Sequence, residues 1–174
     1  MADRGKTYSE APDKFDRRAF RDTLAYFPTG VTIITTRAAN GEPVGLTANS
    51  FNSVSLGPPL VLWSLAQYSP NLPIFQECAY FAVNILAEDQ AALSRKFGST
   101  HADKFAGIEW EEGMEGIPLL AGCAAHLECK SQFRHYGGDH IIFVGQVERF
   151  AKFDRPSLVF SHSRYHRVGG IVKD

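Results

Sequence analysis

The stretch Gly45-Leu46-Thr47-Ala48-Asn49-Ser50-Phe51-Asn52-Ser53-Val54-Ser55, followed by Pro58-Pro59-Leu60-Val61-Leu62, constrains the fold of this chain more than any other segment. Read as a strand, it sets Leu46, Ala48, Ser50 and Asn52 on one face and Thr47, Asn49, Phe51 and Ser53 on the other. Short hydroxyl and amide side chains stand where a core strand carries Val, Ile and Leu. Such a surface offers many hydrogen-bonding groups and little bulk, which suits a flat, polar-edged aromatic ligand. Asn49 and Ser50 can both donate and accept, and Ala48 leaves room for the backbone to approach a ring. The same residues equally suit a Ser/Thr-rich edge strand facing water.

The flanking pattern is that of a β protein with few helices. A helix is expected from Asp13, with Phe15, Ala19, Phe20 and Leu24 on one broad face, ending at Pro28. Gly30 to Thr36 is β-branched almost throughout and reads as a strand, and Asn40-Gly41 turns it back into the opening motif. Gly57-Pro58-Pro59 breaks that strand, and Leu60 to Leu65 forms the next. Ser69 is expected to cap a short helix with Pro70 in its first turn, ending near Cys78. Tyr80 to Leu86 is a strand, Glu88 to Phe97 a helix stopped by Gly98, and the segment from His101 to Pro118 is irregular. Ala124 to Phe133, Ile141 to Phe153 and Ser157 to Phe160 complete the strands, with Gly137-Gly138-Asp139 as a turn. Many strands at hairpin spacing favour a closed antiparallel barrel with a few flanking helices. A loose arm over residues 1–12 and one domain over 13–174 follow from length and pattern.

Composition excludes several classes. A net charge of −1 argues against nucleic-acid or membrane-surface partners, which call for a basic patch. No apolar run is long enough to span a bilayer, and no secretory signal follows Met1. Cys78, Cys123 and Cys129 lack CxxC spacing and read as reduced, buried thiols of a cytoplasmic protein. Neither a dinucleotide-binding glycine fingerprint nor a P-loop occurs.

Candidate chemistry is sparse. The Ser69-Pro70-Asn71 helix start could seat an anionic group, or simply cap the helix. Lys96 could pair with that anion, or simply complement a helix C-terminus. His140 follows a Gly-Gly-Asp turn and opens an apolar strand, a position that also suits a hydrogen-bonded structural histidine. His162 and His166 are four apart but lie in a strand-and-turn context, so a metal site is discounted. No nucleophile triad and no paired carboxylates stand out. A bound group that carries the hard chemistry would leave little for side chains beyond orientation.

Taken in order, these motifs resemble the flavin reductase-like family of FMN-binding split barrels, the small NAD(P)H:flavin oxidoreductases that serve two-component monooxygenases. The resemblance runs from about Phe15 to Arg167. It is carried by Phe27-Pro28-Thr29-Gly30-Val31-Thr32, the Gly45 to Ser55 motif with Pro58 to Leu62, and Phe81 to Leu86. Leu93-Ser94-Arg95-Lys96-Phe97-Gly98, Asp103-Lys104-Phe105, Gly138-Asp139-His140 and Leu158-Val159-Phe160 complete it. It implies a homodimer with two flavin sites at the subunit interface, FMN or FAD as flavin, and NADH or NADPH as hydride donor. By resemblance, Asn49 and Ser50 address the isoalloxazine, with Thr47 and Ala48 beside them. Ser64, Leu65, Ala66, Ser69 and Asn71 line the ribityl and phosphate path, and Lys96 and Phe97 close it. His140 stands near the nicotinamide, with Phe160 and His162 on the pyridine-nucleotide side. The chain departs from the family's usual aromatic, Arg and Gly after Phe160, where it has Ser161-His162-Ser163-Arg164-Tyr165.

The activity so implied is hydride transfer from nicotinamide to flavin, with reduced flavin passing by diffusion to a flavin-dependent monooxygenase. Two alternatives use the same motif: a flavin-binding protein without turnover, and a flavin-dependent oxidase of a small amine.

Overall fold

The computed structural model describes residues 15–100 and 103–170. The expected N-terminal arm, the helix start at Asp13 and His101 lie outside them. The first helix, α1 (Arg17–Leu24), is capped by Asp16, whose carboxylate accepts from the backbone N–H of Arg18 and Ala19. It buries none of its residues, and Phe15, Phe20 and Leu24 remain 45%, 48% and 56% exposed.

A seven-stranded antiparallel sheet follows. Its members are β2 (Thr32–Arg37), β3 (Pro43–Ala48), β4 (Asn52–Leu56), β5 (Pro59–Ala66), β6 (Tyr80–Ile85), β9 (Ala125–Gly137) and β10 (His140–Lys152). Their spatial order is β3-β2-β6-β9-β10-β5-β4, so β3 and β4 form the two edges although they are consecutive in sequence. In a flat sheet those edges would lie about 29 Å apart, six steps of about 4.8 Å. The link between them is only Asn49-Ser50-Phe51, which can reach about 14 Å at full extension. The sheet must therefore roll up until its edges meet at that link. Register shifts at Val144/Gly145 and Val147/Arg149, and at Ser53/Ser55, supply local bends of the kind that barrels use. The opening motif is thus not one strand, as its alternation suggested. It is two edge strands and the seam between them.

Strand β2 is buried on both faces, which its β-branched residues tolerate. Its buried hydroxyls are satisfied: Thr32 donates to Ala48 O at 2.7 Å, Thr35 to Pro118 O at 2.5 Å and Thr36 to Tyr80 O at 2.7 Å. Inside the barrel, Trp63 stacks on Phe143 at 4.6 Å and meets Phe75 edge-on at 5.0 Å.

Smaller elements close the ends. Helix α2 (Leu72–Glu77) starts after Asn71, and the proline in its first turn is Pro73, because Pro70 falls before the cap. Ser69 is not its N-cap but initiates the preceding turn, accepting from Leu72 N at 3.0 Å through its carbonyl. Helix α3 (Ala91–Phe97) begins later than expected, because Glu88, Asp89 and Gln90 form a turn that Gln90 braces by accepting from Ala87 N. The segment read as irregular contains an antiparallel pair, β7 (Trp110–Glu112) and β8 (Pro118–Leu120). A second sheet joins β1 (Thr29–Gly30), β11 (Leu158–Ser161) and β12 (Arg164–Arg167). The hairpin turn between β11 and β12 holds His162 and Ser163 at φ 50° and 59°, the left-handed pair a tight two-residue hairpin requires. All three cysteines are free and buried, and burial pushes the Cys123 and Cys129 thiols up to about 12.

Candidate functional site

The seam gathers much of what the motif suggested. Ser50 Oγ donates to Ser64 O at 3.1 Å and accepts from Ser64 N at 2.9 Å, so its hydroxyl clamps the link to β5. Asn49, next to it, is exposed, and no hydrogen bond of its amide is recorded among the described residues. Ala48 is buried, and its carbonyl is held by Thr32. Thr47 Oγ1 donates to Ser94 O at 2.6 Å, tying the end of β3 to α3. The result is a fixed ledge with one uncommitted amide.

The other wall is the end of β5 and its neighbour. Ala66 pairs with His140 across the β5–β10 ladder, so Ser64, Leu65 and Ala66 lead directly to the histidine. Gln67 N donates to Asp139 O and its amide to Gly138 O, pinning the turn that carries His140. The His140 Nδ1 lies 2.7 Å from Asp139 Oδ1. A carboxylate only accepts, so Nδ1 carries the proton, and Nε2 makes no hydrogen bond among the described residues. The same contact holds the Asp139 carboxyl below its ordinary 3.8. Ser69 N donates to Ala66 O, and Asn71 then opens onto a cavity of about 520 Å³ that Gly45, Lys104 and Phe105 also line.

Lys104 is a group to which no role was given in the sequence. Its Nζ donates to Phe97 O at 2.8 Å and Gly45 O at 3.5 Å, and burial pushes its ammonium below the usual 10.5. It brings a positive charge to the cavity beside Asn71; the only available signal was its place in Asp103-Lys104-Phe105. Lys96 instead donates to Ala106 O. The Phe97 side chain is fully buried, edge-on to Phe105 at 5.0 Å, so any part it has in the site falls to its backbone.

The β11–β12 sheet meets this assembly through α3. Tyr165 Oη lies 2.9 Å from Ser94 Oγ, and Arg95 sits over the Tyr165 ring at 5.5 Å. Thr47, Ser94 and Tyr165 therefore form a continuous polar path from the seam to β12. Phe160 packs on Tyr165 at 5.4 Å. His162 is held edge-on by Tyr26 at 4.3 Å and donates its backbone N–H to Ala25 O. Among the described residues, no hydrogen bond or ring contact joins His140 to Phe160 or His162.

Short polar groups on fixed backbone, an outward amide and a nearby cation fit a planar heteroaromatic ring with an anionic tail. Comparison with known proteins agrees. Residues 24–169 match the Flavin reductase like domain. The chain is 43% identical over 156 residues to FMN reductase (NADH) SmoA of Agrobacterium fabrum, covering 90% of this chain and 88% of the relative. It is 42% identical to the flavin-dependent monooxygenase reductase subunit HsaB of Rhodococcus jostii, covering 89% and 80%. Among solved structures, the NADH:FAD oxidoreductase SgcE6 of Streptomyces globisporus, in complex with NAD and FAD fragments, superposes with a TM-score of 0.84. It is 40% identical, and the match spans 88% of this chain and 93% of that one. The rolled sheet, the polar seam and these likenesses together establish that the chain belongs to the flavin reductase-like domain family.

Proposed function

We propose that this protein is an NAD(P)H-dependent flavin reductase that delivers reduced FMN or FAD to a partner flavin-dependent monooxygenase. The observation that carries the reading is the seam, where Asn49 stands free beside Ser50, Ser64 and Ala66, with His140 paired to Ala66. The flavin, when bound, supplies the hydride acceptor. The chain's own part is to hold two rings in register and keep water out. Asn49 meets a polar ring edge, Ala48 and Ala66 admit close approach, and Ser69, Asn71, Lys96 and Lys104 hold the ribityl and phosphate end. His140, oriented by Asp139, positions the nicotinamide through Nε2. Phe160 and His162 contact the pyridine nucleotide. Among the described residues no hydrogen bond or ring contact joins those two to His140, which suits a site completed by a second copy of the chain in a homodimer. The exposed apolar face of α1 supports such a pairing. No helix among the described residues is long and apolar enough to cross a membrane, and the three buried thiols suit the cytoplasm.

The test is stopped-flow oxidation of NADH and of NADPH in the presence of FMN and of FAD. Turnover with at least one pair is expected. Flavin binding without nicotinamide oxidation in all four would refute the reductase reading.

A further inference from the structure

A second cavity, of about 420 Å³, lies under the β7–β8 pair, and none of its lining residues belongs to the flavin site. Its walls are Trp110 and Phe153, and its floor carries His126 on β9. The floor is rigid. Leu120 N donates to Asn84 Oδ1 at 2.8 Å, and Asn84 is itself fully buried and bonded to Ile33 O and Thr35 Oγ1. Ala121 O accepts from Gln90 Nε2 at 2.8 Å.

His126 is 6% exposed, and its Nε2 lies 2.9 Å from Leu120 O. A carbonyl only accepts, so Nε2 carries the proton. In the neutral ring Nδ1 is then an acceptor, and no hydrogen bond to it is recorded among the described residues. Burial holds the imidazole below its ordinary 6.5 and keeps it neutral near pH 7, against the opposing pull of Leu120 O, Glu111 and Glu128. The remaining charges select against anions. Glu109 and Glu111 stand exposed at the rim, and Arg155 is already paired with Asp89 at 2.5 Å.

We propose that this cavity binds a small neutral aromatic molecule bearing one hydroxyl, a phenol, with its ring between Trp110 and Phe153 and its O–H donated to His126 Nδ1. The volume falls within the range of small-molecule sites, and their usual makeup is apolar walls with a few placed polar groups. A carboxylate or phosphate ligand is disfavoured by the acidic rim. A purely apolar ring would leave the Nδ1 acceptor unmatched and shut off from water.

The experiment uses the whole protein with selectively ¹⁵N-labelled histidine, titrated with p-cresol and with toluene, which lacks the hydroxyl. p-Cresol is expected to shift the His126 Nδ1 resonance saturably and to bind about tenfold more tightly than toluene. Excess FMN should leave that shift in place. Phe153→Ala, at a half-exposed wall, should weaken both ligands, and His126→Phe should abolish the preference between them. No saturable His126 shift up to the solubility of p-cresol would overturn the proposal. So would equal binding of the two ligands by the wild type, displacement by FMN, or a second copy of the chain that covers the cavity. Should His126→Phe fail to fold, the wild-type Nδ1 shift decides alone. None of these readouts depends on reductase activity.

Discussion

At the seam Asn49 and Ser50 are short, polar and at least partly open to solvent; the cavity under β7 and β8 is walled by Trp110 and Phe153, with one buried imidazole. Both places lie on the same rolled sheet, one at its seam and the other on the outer face of its centre. The seam carries many small polar atoms on backbone that is already tied down, as by Ser50 to Ser64. It discriminates by the hydrogen-bonding pattern along a ligand's edge. Inside its charged rim the rear cavity offers one imidazole and leaves the rest to shape. A barrel can be built either way because what points off a strand is independent of the ladder that holds it.

The contrast can be broken most forcefully at Gly45. A Cβ there would come within 2.6 and 2.8 Å of the Phe97 ring, which is fully buried and wedged by Phe105. Gly45→Ala should cost roughly 1–3 kcal/mol by overpacking. Gly30→Ala, with nothing within 4 Å, should stay within about 0.5 kcal/mol. Urea midpoints measure both, and equal values would remove Phe97 from beneath the seam.

Next in size is Asn49→Leu, which strips the uncommitted amide while leaving the ledge intact. Flavin affinity should fall roughly tenfold, about 1.4 kcal/mol, with stability unchanged. Fluorescence titration with FMN decides it, and wild-type affinity would remove Asn49 from the ring edge.

Ser50→Ala separates clamp from contact. It leaves the Ser64 N–H and carbonyl without their Oγ partner and should lower stability by about 1 kcal/mol in thermal melts. If flavin affinity drops while the melting temperature holds, Ser50 is a ligand contact and not a clamp.

The smallest effect belongs to the rear cavity and concerns pH. The folded-state pKa of His126 lies below its ordinary 6.5, so the unfolded chain binds the proton more readily. Its contribution to stability is complete above about pH 6.5 and is lost as pH falls toward the lower folded value. Glu109, Glu111, Glu128 and the paired Arg155 are the charges around it, and Glu111 and Glu128 soften the loss. The drop in melting temperature between pH 7 and pH 5 should shrink in His126→Phe. An identical drop in both proteins would place the titrating group elsewhere.

The sequence was most legible where local chemistry and fold agreed. The Asn40-Gly41 hairpin, the β-branched run of β2, the Gly138-Asp139 turn and the Gly98 stop all fall where their residues indicate. It was least legible where tertiary contacts overrode the pattern. Unbroken alternation from Gly45 to Ser55 gave no sign of a break at Asn49, because two edge strands that follow each other across a three-residue link alternate like one strand. Trp110 to Glu112 and Pro118 to Leu120 are too short for periodicity to register, and they pair only because the barrel wall lies behind them. Lys104 and Tyr165 gained meaning from Gly45 and Ser94, which lie far from them in sequence.

By itself, then, the sequence determined the β architecture, the hairpins and the polar character of the Gly45 to Ser55 segment, because these rest on backbone preference and side-chain type over a few residues. Only the tertiary structure decided that this segment is a seam, that Ser50 is clamped while Asn49 is free, that Phe97 belongs to the core, and that His126 lines a cavity with one ring nitrogen tied to Leu120 O. Each of those depends on which distant backbone donors and acceptors a side chain meets, and that is settled only when the sheet closes.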